Sequence, residues 1–176
     1  MAAVITATLS SATANSYATL AAANTYFETV PDSSGWDSKT TDQKNRALIA
    51  ATRWIDSLNY YGVRCDENQA LKWPRNNYVA DGVTLDCDSI PNAILYAQFE
   101  LALAIANNTA SITGNTGTTG LYDEVELGDL RVKYNSTSQS NGPVNNVFDV
   151  YPWLQSHLGP YVLGGAGGYQ VRVTRG

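Results

Sequence analysis

The hydrophobic pattern of the chain falls into helical blocks separated by polar breaks. The densest block is Pro91–Asn107 (PNAILYAQFELALAIAN). Ile94, Ala97, Leu101 and Ile105 share one face at three- and four-residue spacing, and Leu95, Phe99, Ala102, Leu103 and Ala106 fill most of the rest. A helix apolar nearly all round is buried on several sides, which predicts a central core helix over 91–107. Pro91 suits its first turn, with Asp88 or Ser89 as candidate caps. The stretch is short and interrupted by Glu100, a poor membrane span. A second block, 41–59, opens on Thr40-x-x-Gln43, the pattern of a capping box. Ala47, Leu48, Ala51, Trp54, Ile55 and Leu58 then form one apolar stripe, with Gly62 as a candidate terminator. Shorter helices are predicted over 20–28, capped by Thr19, and over 152–158, after Pro152.

Period-two alternation is weaker. It predicts a strand at Ala3–Thr8, a hairpin within Leu121–Tyr134 around Gly128-Asp129, and an alternating terminal strand at Tyr169–Gly176. Val63–Ile90 reads as a long loop, with Trp36 anchoring a separate break at Pro31–Gly35. Asn107–Gly120 and Asn135–Asn146 read as polar linkers, and Gly164–Gly168 as a hinge. The sum is a mainly α fold: a small helical bundle with a short β-hairpin near 121–134 and extended termini. The body spans 1–134; a linker, a short helix and a C-terminal arm occupy 135–176.

Charge adds an asymmetry. The chain has 176 residues and a formal net charge of −5. Residues 1–130 carry 7 Lys/Arg against 15 Asp/Glu, whereas 131–176 carry Arg131, Lys133, Arg172 and Arg175 against Asp149. An acidic body argues against indiscriminate phosphate binding but leaves room for a local basic strip. Cys65 and Cys87 are the only cysteines. Without a basic leader ahead of the first apolar residues, the expectation is that they stay reduced.

Candidate chemistry is sparse. Glu100 lies inside the apolar helix, and a carboxylate there must be paired or hydrogen-bonded. Arg53, on the partner helix 41–59, is the expected counter-ion. Trp73 and Arg75, in Ala70-Leu71-Lys72-Trp73-Pro74-Arg75, read as an aromatic lid or as anchors of a subunit contact. His157 is the sole histidine, and its aromatic segment favours packing over general-base work. Asp81, Asp86 and Asp88 lack calcium-loop spacing. No nucleophile motif, phosphate-cradling loop or metal-ligand spacing is present, so no enzyme, cofactor or metal is expected.

Several segments taken in order carry a resemblance. They are Ala14-Asn15-Ser16-Tyr17, Ala22–Phe27, Trp36, Ala47–Asp56, Gly62, Ala70–Arg75, Ile90-Pro91, Glu100-Leu101-Ala102, and Gly128-Asp129-Leu130 with Val132 and Tyr134. Over about residues 14–134 the chain resembles head-to-tail connector (adaptor) proteins of tailed bacteriophages. Some members of that group carry the description of a DnaT-like single-stranded-DNA-binding protein. The resemblance implies a structural protein of the virion neck, forming a ring of about twelve copies between the portal and the downstream tail or nozzle protein. Genomic DNA would pass through the ring without sequence-specific binding. The arm residues Tyr169, Gln170, Val171, Arg172, Val173 and Arg175 would reach the portal, and no membrane is involved. The alternative is a single-stranded-DNA-binding or replication accessory protein, distinguished by a basic face and salt-dependent affinity.

Overall fold

A computed structural model describes residues 3–80, 82–107, 124–127, 130–133 and 153–163. Helix α1 spans Leu20–Phe27, α2 Ser34–Asp37 and α3 Thr41–Asp56. Two short ladders follow: β1 (Val63–Arg64) with β2 (Arg75–Asn76), and β3 (Val79–Ala80) with β4 (Val83–Thr84). Then come α4 (Asn92–Ala106), the hairpin β5 (Glu124–Leu127) and β6 (Leu130–Lys133), and α5 (Leu154–Leu158). All three strand pairs are antiparallel.

Helix α4 is the centre of the core, as its pattern predicts. It packs most extensively on α3, and α5, α2 and α1 cover further sides. Ile94, Ala97, Phe99, Leu101 and Ala102 are buried on it, against Leu48, Ala51 and Ile55 of α3 and Leu154 and Leu158 of α5. Each large side chain so buried stabilises the fold by about 1.5–3 kcal/mol. Trp36 anchors its loop as expected: it is fully buried, stacks on Phe27 with ring centroids 4.6 Å apart, and donates its indole N–H to Asn24 Oδ1 at 2.9 Å. The capping box of α3 is formed, with Gln43 N–H on Thr40 Oγ1 and Thr40 N–H on Gln43 Oε1. Thr19 caps α1 through Ala22 N–H.

Other expectations are corrected. The fold is mixed rather than mainly α, because the long loop after α3 contains the β1–β2 and β3–β4 ladders. Ala3–Thr8 makes no strand. Its backbone bonds go to side chains and to the loop that follows: Ala3 N–H donates to Asp42 Oδ1, Asn45 Nδ2 donates to Ala3 O, Thr6 N–H donates to Asn15 Oδ1, and Thr6 O accepts from Asn15 N–H. A segment whose groups are taken this way needs no ladder. Pro91, with no side-chain hydrogen bond, stands at the N-cap of α4 in place of Asp88 or Ser89. Asp86 instead accepts from Asp88 N–H, Ser89 N–H and Ser89 Oγ, closing the turn ahead of the helix. Cys65 and Cys87 are joined in a disulfide with Cα atoms 5.6 Å apart, against the expectation of free thiols. The meeting of the two residues is decided by the intervening ladders, which spacing does not reveal.

The predicted hairpin near 121–134 matches β5 and β6, in register Glu124↔Lys133, Val125↔Val132, Glu126↔Arg131 and Leu127↔Leu130. The two linkers, the glycine hinge and the arm residues Tyr169–Arg175 lie outside the described residues.

Candidate nucleic-acid interface

Helix α3 shows the core Ala47, Leu48, Ala51, Thr52 and Ile55. The opposite ridge, at three- and four-residue steps, is Asp42, Arg46, Ala50, Arg53 and Ser57. Arg46 and Arg53 are exposed, and half-buried Trp54 and Ile49 flank them. Seven residues of helix set the two arginine Cα atoms about 10 Å apart. Arg46 Nε pairs with Asp42 Oδ2 at 2.8 Å, an exposed i,i+4 contact that stabilises the helix by no more than about 0.5 kcal/mol. Near the start of the helix, the Lys44 ammonium sits 5.4 Å from the Trp36 ring centroid. Residues 37–53 carry Lys39, Lys44, Arg46 and Arg53 against Asp37 and Asp42, a local net charge of +2 within an acidic chain. The ridge therefore offers guanidinium groups for phosphate oxygens.

The other prominent surface is the double hairpin. Tyr61 stacks on Tyr78, centroids 4.7 Å apart and 10° from parallel, and Val63, Val79 and Val83 are exposed nearby. Its exposed charges are Arg64 against Asp66, Glu67, Asp86 and Asp88, so phosphate is repelled there.

Trp73 and Arg75 are not surface anchors. Trp73 is buried, edge-on to Tyr60 and Tyr161. The guanidinium of Arg75, itself buried, donates to the carbonyls of Tyr61 (2.8 Å), Lys72 (3.2 Å), Tyr60 (3.3 Å) and Gly62 (2.6 Å). Of the two readings, the lid folded onto the body is the one formed, and the subunit-contact reading gives way to a clamp within the chain, because an Arg fork fits converging backbone carbonyls. Lys72 completes the clamp. Its ammonium donates to Leu58 O at 2.6 Å beyond the C-terminus of α3, and its N–H donates to Asp56 Oδ1. Tyr17 O–H donates to the same Asp56 oxygen at 2.5 Å. Burial, then the neighbouring Tyr60 and Asp56, hold the Tyr17 phenol well above its ordinary value.

Glu100 is satisfied without Arg53. Its Oε1 accepts from Tyr26 O–H at 2.8 Å, and its Oε2 lies 3.4 Å from His157 Nε2. Burial and the bond to Glu100 raise the Tyr26 phenol pKa. The expected Arg53–Glu100 ion pair is corrected: Glu100 faces α1 and α5, whereas Arg53 lies on the outer ridge of α3. Helical periodicity places each residue on a face but does not say which helix meets that face. His157 lies between Glu100 and the edge of the Tyr96 ring. Gln98, passed over in the sequence, holds the α3–α4 contact. Fully buried, its Nε2 donates to Ser16 Oγ at 2.7 Å and Thr52 Oγ1 at 2.8 Å. Its position on a wholly apolar helix is the signal that marks it.

By architecture this is a small mixed domain, a helical core with a disulfide-stapled double hairpin and one basic helical ridge. The chain belongs to the family described as "Putative DnaT-like ssDNA binding protein", whose model matches residues 1–176. No curated protein and no solved structure matches it. The family match overturns the connector reading, since the description covering the whole chain is that of the alternative. The expected ring, portal and tail partners and the neck location rested on the connector resemblance alone, and no contact within the chain speaks to them. Among the described residues no three His, Cys, Asp or Glu side chains gather as metal ligands, and no helix is long and apolar enough to cross a membrane.

Proposed function

We propose that the chain binds single-stranded DNA, without catalysis, along the outer ridge of α3. The observation that carries this reading is the match of residues 1–176 to a family so described. The ridge supplies the chemistry. Arg46 and Arg53 contact phosphates of an extended strand, with the half-buried Trp54 next to Arg53 as a stacking candidate at the edge of the ridge. Such stacking contributes about 1–3 kcal/mol per base and tolerates any sequence. The acidic body around the ridge repels phosphate.

Fluorescence anisotropy with a labelled oligothymidylate tests the proposal. The expected result is binding at about 50 mM salt that weakens steeply as salt is raised. Arg46→Ala/Arg53→Ala should weaken it at least tenfold, while Arg64→Ala on the hairpin face leaves it unchanged. Wild-type protein that fails to bind at low salt overturns the function. Binding that is indifferent to the double substitution overturns the site.

A further inference from the structure

We propose that the Cys65–Cys87 disulfide is a redox-sensitive clasp that sets the local order of residues 79–90 independently of the helical core. The two halves of the double hairpin are held very differently. The first half, through Tyr78, is tied to the body many times over. Trp73 is buried, Arg75 grips four carbonyls, Lys72 holds Asp56 and Leu58, and the Tyr78 hydroxyl donates to Pro160 O at 3.1 Å. The second half has far fewer ties. Val79, Val83 and Thr84 are exposed, β3 and β4 are two residues each, and Ala80 and Leu85 are its buried apolar groups. Beyond Leu85, the Asp86 carboxylate accepts, among the described residues, only from Asp88 and Ser89, within its own turn. Cys87 makes the covalent tie back to β1, supported by the Asn76 side-chain amide, which donates to its sulfur at 3.3 Å.

Both cysteines are half-buried, so a small dithiol reaches them. Its thiolate attacks one sulfur, the Cys–Cys bond breaks, and a mixed disulfide forms. The second thiol of the reductant resolves it, leaving two protonated cysteines and an oxidised dithiol. The closed loop spans a sequence separation of 22. Opening it returns conformational freedom to the segment with the fewest other anchors, and the first half of the hairpin stays clamped.

Hydrogen exchange read by mass spectrometry on the full chain, oxidised and after dithiothreitol, tests the clasp. Amides of residues 79–88 should exchange roughly 100-fold faster after reduction, with those of α3 and α4 unchanged. Cys65→Ser/Cys87→Ser should reproduce the reduced pattern with or without reductant. Equal protection in both states overturns the proposal. So does an equal loss of protection in α3 and α4, which would make the bond a global staple, and so does alkylation of both thiols in air-oxidised protein.

Discussion

Arg75 and Arg53 carry the same charge in opposite circumstances, and their variants should diverge. Arg75→Met removes the donors to four backbone carbonyls in a buried clamp and should cost about 2–4 kcal/mol of stability. Arg53→Met removes an exposed side chain and should change stability by less than about 0.5 kcal/mol. Denaturant unfolding of the two variants checks the contrast. The buried tyrosines give a pH prediction. Tyr17, Tyr60 and Tyr26 have phenol pKa values raised in the folded chain above the ordinary 10.0, in each case first by burial. The native state therefore holds these protons where the unfolded chain releases them. The resulting stability is complete below about pH 10 and is lost as pH rises through the folded values. The thermal midpoint should be flat between about pH 8 and 9.5 and fall above that, and the share of phenolate absorbance that belongs to these three tyrosines should appear together with unfolding.

The segment after α3 is joined to the body by specific contacts at its turns. Gly62 lies beyond α3 at φ +75°, where an added Cβ would collide with the Asn76 carbonyl in β2. It is a hinge of the clamp rather than the terminator of α3, which already ends at Asp56. Gly62→Ala combines a left-handed backbone with that collision and should cost at least about 2 kcal/mol. The check is thermal unfolding with far-UV circular dichroism to confirm that the helices persist below the transition. Residue type at Gly62 was visible as punctuation; its partner, a carbonyl on a strand of two residues, was not.

On the scale of the whole molecule, a net charge of −5 and a local charge of +2 over residues 37–53 predict weak, salt-sensitive attraction rather than tight general binding to nucleic acid. For a single strand, each lost phosphate contact lowers the dependence of log affinity on log salt by about 0.7. Arg46→Ala/Arg53→Ala should therefore flatten the slope by about 1.4, measured by anisotropy titrations at several salt concentrations. An unchanged slope with weaker binding would place the arginines away from the phosphates.

The sequence alone determined α1, α3, α4 and α5, but not the short α2, which falls where the sequence reads as a break. The apolar surround of α4, the stripe and capping box of α3, and the β5–β6 alternation follow from local periodicity and local hydrogen bonds, which read directly from neighbouring residues. It also located the basic residues of α3 and the isolated charge at Glu100. Tertiary structure decided the pairings. Arg53 and Glu100 both lie on helices in contact, yet one faces outward and the other meets Tyr26 and His157. Trp73 and Arg75 turn inward, Cys65 meets Cys87, and Ala3–Thr8 gives its backbone to Asp42, Asn45 and Asn15. Each of these depends on where distant segments come to rest, and local pattern constrains the face a residue occupies without choosing what lies opposite it.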